Sequence, residues 1–335
     1  MQRLGKSGIL QHSAAPEPRS NDRVHRSVNI GRSVLLAAAR NKTLNDFALR
    51  SAFVKRATRT FMPGEHVEDA VAAGSAIAAT GRGLIFTHLG EAITSANAAI
   101  AVRDHYLALF DRIRAMALPA QVSVKPTQLG LDLSISECDR HLHALAAKAE
   151  VTGSALWLDM EDSSYVDRTL ELYVSLKQTN RSTGIALQAY LHRTPTDLAR
   201  LMPLTPVIRL VKGAYDEPRG VAFEKKSDTD RAYFELASRM LEAARAGSCT
   251  PIFGTHDLGL IGRIAERASA SGVGIDKYQI HMLYGIRDAA QRRLVAEGHI
   301  VKTLVSYGAA WYRWYMRRLA ERPANVLFVV KSLLG

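Results

Sequence analysis

The stretch ALWLDMEDSSYVDRTLELYVSLKQTNRSTGIALQAYL, residues 155–191, decides the fold class of this chain. Two short runs of β-favouring apolar residues, 155–160 and 184–191, enclose a segment whose apolar residues recur at helical spacing. A strand, a helix and a second strand in this order are typical of a parallel sheet with its connecting helices packed on the outside. The stretch therefore predicts a βαβ unit.

The same alternation continues on both sides of this unit. Eight runs are predicted as strands, and helical patterns such as residues 96–117, 138–150 and 231–246 lie between them. The runs are GLIFTHL (83–89), QVSVKPT (121–127), ALWLDM (155–160), GIALQAYL (184–191), VIRLVKGA (207–214), PIFGTH (251–256), YQIHMLYG (278–285) and HIVKTLV (299–305). Eight strand–helix pairs predict a (β/α)8 barrel of the TIM type. An open doubly wound sheet is the alternative, because periodicity does not show closure.

Two further segments precede the predicted barrel, which takes up residues 81–335. Residues 1–33 are rich in Arg, Ser, Pro and Gly and poor in large apolar residues, which predicts a flexible basic tail. An organelle transit peptide has a similar composition, but no strong amphipathic helix is visible here. Residues 34–80 are alanine-rich with helical spacing, broken at Met62-Pro63-Gly64, and predict an N-terminal helical arm.

Composition and charge restrict the classes of function. Hydrophobic residues make up 47% of the 335 residues, and no run reaches the roughly 18–20 apolar residues of a membrane span. The net charge of +12 invites a nucleic-acid or membrane partner, yet the basic residues outside the tail form no block, so we expect no nucleic-acid partner. Two distant cysteines, Cys138 and Cys249, exclude a disulfide framework, and a reducing cytoplasm is the simplest compartment.

Polar residues gather at the carboxyl ends of the predicted strands, where barrels of this type carry their active sites. They are Glu91, Lys125, Thr127, Gln128, Asp159, Glu161, Asp162, Gln188, Tyr190, Arg209, Lys212, Thr255, His256 and Asp257. Scattered surface charge would not favour one end of the strands, so the clustering predicts a ligand site. We expect no metal, because Asp159, Glu161, Asp162 and His256 lack the paired-histidine spacing of metal sites. Phosphate-loop, zinc-protease and serine-hydrolase motifs are absent from the sequence.

Three cations suit a carboxylate ligand. Lys125 ends the second run, and Arg317 and Arg318 are adjacent near the end of the chain. An arginine fork binds a carboxylate bidentately, and on a helix the two arginines point about 100° apart, so one ligand reaches both from the ridge between them. Glu321 is spaced to fix one guanidinium; an ordinary ion pair on a solvated helix face is the alternative.

Seven motifs in chain order resemble those of the flavin-dependent proline dehydrogenases, especially the short monofunctional bacterial type. They are VSVKPTQLGLDLS, LWLDMEDSSYVDRTLELY, ALQAYLHRT, VIRLVKGAYDEP, FGTHD, MLYGIR and WYRWYMRRLAERPAN. The resemblance covers residues 83–330 and implies a distorted (β/α)8 barrel with FAD across the carboxyl ends of its strands. It also implies oxidation of L-proline to 1-pyrroline-5-carboxylate by hydride transfer to the flavin, the first step of proline catabolism. The electrons would then pass to a quinone or another acceptor.

The resemblance also assigns roles to residues of this sequence. Asp159 and Arg209 are implied as catalytic-site residues on the barrel floor. The implied substrate contacts are Lys125, Arg317 and Arg318 at the carboxylate, braced by Glu321, and also Tyr284 and Leu304. FAD contacts are implied for Met160, Gln188, Arg209, Val211, Lys212, Gly213, Ala214, Thr255 and His256, with Tyr215 and Asp257 near the cofactor.

The sequence departs from the family pattern around the expected substrate. Where the family has Y-V-P-Y-G after strand eight, this chain has LVSYG from Leu304, so that an aromatic hydroxyl is replaced by an apolar wall. The family's E-F-Q-M-L-Y-G becomes QIHMLYG, with Gln279 and His281 as the changed polar positions. A strand histidine is more often a packed, hydrogen-bonded residue than a base. Pro126 replaces an apolar residue beside Lys125 and removes a backbone donor.

These departures leave several interpretations open. Ordinary divergence with proline oxidation retained is the first. A dehydrogenase or oxidase of another carboxylate-bearing secondary amine, such as hydroxyproline or an N-alkyl or hydrazine-linked amino acid, is the second. A non-catalytic flavin-binding sensor is the third. The final apolar run, NVLFVVKSLL, is predicted as a helix covering the barrel, with a peripheral membrane contact as the alternative.

Overall fold

The computed structural model describes residues 58–90, 93–312 and 315–316. Within these ranges eight parallel strands form a closed barrel in sequence order, and six register pairs join the first strand to the last. The strands are β1 (Gly83–His88), β2 (Ala120–Val124), β3 (Leu156–Leu158), β4 (Gly184–Gln188), β5 (Val207–Val211), β6 (Thr250–Gly254), β7 (Gln279–Leu283) and β8 (Ile300–Tyr307). Closure confirms the predicted (β/α)8 barrel and excludes the open sheet.

Helices surround the barrel, one before β1 and one after each of the strands β1 to β7. They are α1 (Val67–Ala78), α2 (Ala96–Ala115), α3 (Ile135–Val151), α4 (Val166–Thr179), α5 (Thr194–Leu201), α6 (Lys226–Arg245), α7 (Leu258–Ala270) and α8 (Asp288–Ala296). After β8, the described residues Trp311, Tyr312, Tyr315 and Met316 are helical. None of the described helices combines the length and the apolar character that a bilayer span requires.

The predicted boundaries hold least well at the carboxyl ends of the strands. The second run extends to residue 127, but β2 ends at Val124 and a 3-10 turn occupies Pro126–Leu129. Proline has no backbone N–H to continue the ladder and fits the first position of such a turn. The first seven runs thus include residues that leave the sheet and enter the loops above it, whereas β8 continues past the predicted end at residue 305 to Tyr307.

Only the end of the predicted arm lies among the described residues, and α1 is its helix. Residues 1–33, the predicted tail, and residues 34–57 lie outside the described ranges. The division of the chain into tail, arm and barrel therefore stays a prediction.

The barrel wall separates two sets of apolar side chains. Side chains alternate along a strand, so Leu84 and Phe86 face outward into the large cluster that the helices cover. Ile85 lies between them and faces inward, where it forms a separate cluster with Trp157 and Ile252. The inner cluster fills the middle of the barrel.

Gln291 of α8 joins the barrel to its outer layer where β7, β8 and β1 meet. Its side-chain oxygen accepts hydrogen bonds from Arg82 Nη1 (3.1 Å) and Thr303 Oγ1 (2.6 Å). Its amide donates to the backbone oxygens of Leu283 (3.0 Å) and Ile286 (2.8 Å). Arg82 and Gln291 are both almost fully buried, so this network satisfies groups that water does not reach.

A polar layer lies inside the lower part of the barrel. Lys302 of β8 is paired in register with Gly83 of β1 and with His281 of β7. Burial lowers the pKa of Lys302 to about 8 from its ordinary value of 10.5. Burial, followed by the charges of Arg209 and Lys302, lowers the pKa of His281 well below its usual value, so this histidine is neutral.

We predict that Lys302→Met raises the free energy of unfolding at pH 7 by about 2–3 kcal/mol, because the folded variant no longer carries the buried ammonium of Lys302. The folded pKa of Lys302 lies below the unfolded one, so between pH 8 and 10.5 the unfolded chain binds more protons. The free energy of unfolding of the wild type therefore increases relative to that of the variant as pH rises through this window. Urea unfolding of both proteins at intervals of pH measures the difference.

Lys277→Met is the matched control, because the side chain of Lys277 is exposed and paired with Asp276. This control should differ from wild type by less than about 0.5 kcal/mol at every pH. A gap for Lys302→Met that stays constant from pH 8 to 10.5 would contradict the lowered pKa.

Candidate active site

An ion pair between a buried arginine and a half-buried aspartate occupies the carboxyl-terminal half of the barrel interior. Arg209 of β5 forms an ion pair through Nη2 with Asp159, which directly follows β3. The same Nη2 donates to Ser123 Oγ of β2 at 3.0 Å, and this hydroxyl donates to Asp159 Oδ1 at 2.7 Å. Burial lowers the pKa of Arg209 and the Asp159 carboxylate opposes the shift, so the guanidinium remains charged. The structure thus brings together the two residues expected at the catalytic site.

Lys125 lies at the end of β2 as the N-cap of the 3-10 turn, with 8% of its surface exposed. Among the described residues, no carboxylate lies within 4.0 Å of it. His88 is near but neutral, because burial, followed by the charges of His105 and Lys125, lowers its pKa to about 4. Lys125 therefore offers a buried positive charge to a ligand.

The loops after β2 and β3 are tied together by Glu161. Its carboxylate accepts hydrogen bonds from the backbone N–H (3.1 Å) and the hydroxyl (2.7 Å) of Thr127. Gln188 at the end of β4 reinforces the contact, because its amide donates to the backbone oxygens of Met160 (3.2 Å) and Glu161 (3.0 Å). These bonds fix Lys125, Asp159 and Gln188 relative to one another.

Lys212, directly after β5, is held by carboxylates from two helices. It forms ion pairs with Asp230 of α6 and with Asp257 at 3.0 Å. Asp257 is the N-cap of α7 and accepts from Leu260 N–H at 3.2 Å. Burial raises the pKa of Asp257, but the hydrogen bonds from Lys212 and Leu260 outweigh it, so the pKa is lowered and the group is ionised.

The segment from Val211 to Tyr215 is half-buried throughout and forms one side of the strand ends. Gly213 has φ of 118°, and a Cβ at this position would come within 2.2 Å of the Tyr190 ring. Only glycine adopts this conformation without strain and also allows such a close approach. Ala214 and Tyr215 follow in the same loop. Tyr190 in turn donates to Glu217 at 3.4 Å, and Glu217 accepts from Ser163 in the loop after β3.

Thr255 and His256 follow β6. Thr255 is buried, and its Oγ1 accepts from Asp257 N–H at 3.2 Å. His256 Nε2 accepts from the backbone N–H of Leu283 at 2.9 Å, which requires the proton of the neutral ring to be on Nδ1. His256 is thereby fixed against β7, with its tautomer defined by the sheet.

Leu304 and Tyr284 occupy different sides of the barrel wall. Leu304 packs, half-buried, against the inner cluster of Ile85, Trp157 and Ile252. Tyr284 lines an outer cavity together with Arg82 and Thr303. The structure therefore places Leu304 inside the barrel with Arg209 and places Tyr284 outside it, and the substrate contact of Tyr284 stays a prediction.

Two other departures from the family pattern, Gln279 and His281, also lie inside the barrel, whereas Pro126 lies in the 3-10 turn after β2. Gln279 and His281 share the inner face of β7, with His281 Nε2 at 3.3 Å from Gln279 Oε1. His281 is 4% exposed and packs its ring against Trp157, with the ring centroids 5.4 Å apart. It is thus a packed histidine, as the sequence favoured. Arg317, Arg318 and Glu321 lie outside the described residues, and their roles stay predictions.

The structure adds residues that sequence reasoning missed. Ser123 and Trp157 each lie two positions before a predicted site residue, Lys125 and Asp159 respectively, and alternation along a strand places them on the same inner face. That spacing could have identified both residues as neighbours of the site. The close approach of Gly184 to the Trp157 ring had no signal in the sequence, because it depends on the register of β3 with β4.

A closed (β/α)8 barrel with an ionised cluster at the carboxyl ends of its strands defines an enzyme of the barrel class. Comparison with known proteins identifies the kind of enzyme. The sequence model of the family described as Proline dehydrogenase matches residues 70–331. The chain belongs to the proline dehydrogenase family and is an oxidoreductase acting on the CH–NH group.

Curated relatives match over most of their length. Proline dehydrogenase 1 of Bacillus subtilis (strain 168) is 35% identical over 303 residues, which cover 90% of this chain and 99% of the relative. Proline dehydrogenase of Deinococcus radiodurans is 36% identical over 283 residues, covering 82% of this chain and 89% of the relative. The match therefore extends over the whole barrel.

Solved structures share the fold. Proline utilization A (PutA) from Bdellovibrio bacteriovorus, inactivated by N-propargylglycine, superposes with a TM-score of 0.74 at 21% identity. The match covers 86% of this chain and 38% of that protein. A variant of Bradyrhizobium japonicum PutA gives a TM-score of 0.66 at 22% identity, over 79% of this chain and 30% of the other. This chain thus spans about a third of the PutA proteins that it matches, and the likeness concerns the barrel fold.

Proposed function

We propose that this chain binds FAD and oxidises L-proline to 1-pyrroline-5-carboxylate, the first step of proline catabolism. Its relatives in Bacillus and Deinococcus carry the name proline dehydrogenase at 35–36% identity. The observation that carries the proposal is the ion pair of the buried Arg209 with Asp159, with Lys125 as a second buried cation. A small zwitterion needs a fixed cation for its carboxylate, and Lys125 supplies one.

The residues at the strand ends fit FAD. Two buried polar atoms, Arg209 Nη1 and Gln188 Oε1, have no hydrogen-bond partner in the described part of the chain. Buried polar groups are nearly always satisfied, so these two atoms support a polar ligand between β4 and β5. The half-buried loop from Val211 to Tyr215 lies beside them. The residues that would hold the cofactor are Met160, Gln188, Arg209, Val211, Lys212, Gly213, Ala214, Thr255 and His256, with Tyr215 and Asp257 nearby.

Protein side chains position the substrate and adjust the charge of the site. When bound, the flavin supplies the acceptor for the hydride that leaves the ring carbon next to the proline nitrogen. Lys125, with Arg317 and Arg318 as predicted partners, holds the carboxylate and so fixes which carbon faces the cofactor. Arg209 provides a fixed positive charge where negative charge develops, and Asp159 keeps that guanidinium in place. Neither Asp159 nor Arg209 has to act as a nucleophile.

Electron transfer and location complete the proposal. Proline dehydrogenases pass electrons to an acceptor, and we propose a quinone for this chain, with another oxidant as the alternative. Residues 325–334, predicted as a helix covering the barrel with a peripheral membrane contact as the alternative, lie outside the described ranges. Membrane association of a cytoplasmic enzyme therefore stays a prediction.

Anaerobic flavin reduction tests the proposed function. The purified protein should be yellow with one FAD per chain, and its flavin absorbance should bleach on addition of L-proline. Bleaching by another amine but not by proline would show that this amine, and not proline, is the substrate. Flavin that no amine bleaches would favour the non-catalytic sensor, and a protein that binds no FAD would refute the flavin assignment.

Substitution of Lys125 tests the carboxylate contact. We expect Lys125→Met to raise KM for L-proline about 10- to 100-fold, the loss of one charge-assisted hydrogen bond, with FAD content unchanged. Lys148→Met is the matched control, because Lys148 on α3 is paired with Asp111 and lies away from the strand ends. An unchanged KM in Lys125→Met would remove Lys125 from the substrate site.

A second candidate substrate class follows from Leu304. Its side chain presents an apolar surface continuous with Ile85, Trp157 and Ile252 inside the barrel. Such a wall has no hydroxyl to order a small polar substrate and suits a secondary amine with an aliphatic substituent. The candidate is a carboxylate-bearing amine such as an N-alkyl amino acid.

Leu304→Tyr is expected to shift preference toward L-proline by about tenfold or more in relative kcat/KM, because the ring fills the space an aliphatic substituent would use. Steady-state rates with L-proline, hydroxyproline and an N-alkyl amino acid measure the shift. Leu304→Met keeps the wall apolar and should leave the ratios near those of wild type. Equal ratios in Leu304→Tyr and wild type would show that Leu304 does not select the substrate.

A further inference from the structure

The Trp157 ring lies against the Arg209 guanidinium inside the barrel. The guanidinium carbon is 4.9 Å from the centre of the ring, within the range of a cation–π interaction. Trp157 is 2% exposed, so water does not weaken this contact. Its Nε1 donates to Gln121 Oε1 at 2.8 Å, which fixes the rotation of the ring. Trp157 therefore presents a fixed aromatic face to the charge.

The other contacts of Arg209 do not fix the orientation of its guanidinium, whereas the aromatic face does. The hydrogen bonds to Ser123 Oγ and Asp159 Oδ1 both end at Nη2. A planar group attached through a single nitrogen still swings about that attachment. The aromatic face restricts the swing, because a guanidinium stacks on an aromatic plane. The position of Nη1, which is buried and has no partner in the described part of the chain, then depends on Trp157.

Gly184 makes the space that Trp157 needs. The two residues are paired in register on β4 and β3, and a Cβ at Gly184 would come within 2.4 Å of Trp157 Cζ3. The neighbouring ring atoms Cε3 and Cη2 would be 2.5 and 2.7 Å away. These three atoms all belong to the six-membered ring of the indole. A side chain at position 184 would therefore push the indole out of its place.

We propose that Trp157 is a positioning residue that holds the Arg209 guanidinium in the orientation required at the cofactor, with Gly184 providing the room. This role rests on the proposed function, because it acts through Arg209 on a bound flavin. The positive charge of Arg209 stabilises reduced flavin only when it is directed at the cofactor. Loss of the ring lets the charge move away, so that the flavin becomes harder to reduce.

Two substitutions in the FAD-loaded enzyme distinguish the effect of the aromatic ring from the effect of side-chain volume. Trp157→Leu removes the aromatic face, and we expect a lower flavin reduction potential, a kcat reduced about 10- to 100-fold, and KM for proline within about threefold of wild type. Trp157→Phe keeps a face, and we expect it to recover most of both losses. The potential is measured by reductive titration against a reference dye, which needs no amine substrate. FAD content and thermal unfolding are recorded alongside.

A double-variant cycle tests the part of Gly184. Gly184→Ala alone is expected to lower the potential as Trp157→Leu does. Phenylalanine lacks the three ring atoms that an alanine Cβ would strike, so Gly184→Ala should have little further effect in the Trp157→Phe background. Gly262→Ala is the matched control, because nothing lies within 4 Å of a Cβ at that helical position.

The outcomes test the positioning role of Trp157 separately from the proposed function. A Trp157→Leu enzyme with wild-type potential and kcat overturns the positioning role, and so does a Trp157→Phe enzyme as impaired as Trp157→Leu. Equal effects of Gly184→Ala in both backgrounds overturn the part of Gly184. A wild-type protein whose flavin no amine reduces refutes the proposed function instead, while the potentials of the variants still report on Trp157.

Discussion

A charged guanidinium buried inside a closed barrel is the constraint on which the site depends. Arg209 is 4% exposed, and such a charge is tolerated only with a partner and hydrogen bonds. Arg209 belongs to β5, and its two partners come from two other strands: Ser123 from β2 and Asp159 from the end of β3. Strands lie about 4.8 Å apart, so in a flat sheet residues three strands apart would be about 14 Å from each other. The 3.0 Å contact between Arg209 and Ser123 therefore needs the curvature of the closed sheet.

The same buried charge determines the state of the groups beneath it. His281 faces Arg209 and Lys302, and its pKa is lowered first by burial and then by these two charges. A neutral imidazole adds no further repulsion, and its ring packs against Trp157 instead. The lower interior is thus built of neutral polar and aromatic groups below one paired charge. Lys302 is the exception, and its lowered pKa shows the cost of burial without a carboxylate partner among the described residues.

Much of the fold follows from local pattern, because period-two runs and helical spacing report which face of each element is buried. The polar residues at the strand ends were also predictable, since parallel strands bring their carboxyl ends to one side of the barrel. Contacts across the barrel were not predictable from local pattern. The hydrogen bond from Arg209 to Ser123 depends on closure of the barrel, and the approach of Gly184 to Trp157 depends on register. Tyr284 shows the same limit, because a motif names a residue but not the side of the wall that it faces.

Residues that match the family motifs and residues that depart from them lie at different depths in the barrel. The loops above the strands hold Gln188, Lys212 and His256 in networks made largely of backbone contacts and ion pairs, which restrict substitution. Three departures, Gln279, His281 and Leu304, lie inside the barrel. His281 packs against Trp157, and Leu304 packs against the inner cluster to which Trp157 belongs. Because the indole also touches Arg209, the positioning role proposed for Trp157 links the packing of the barrel interior to the charge at the site.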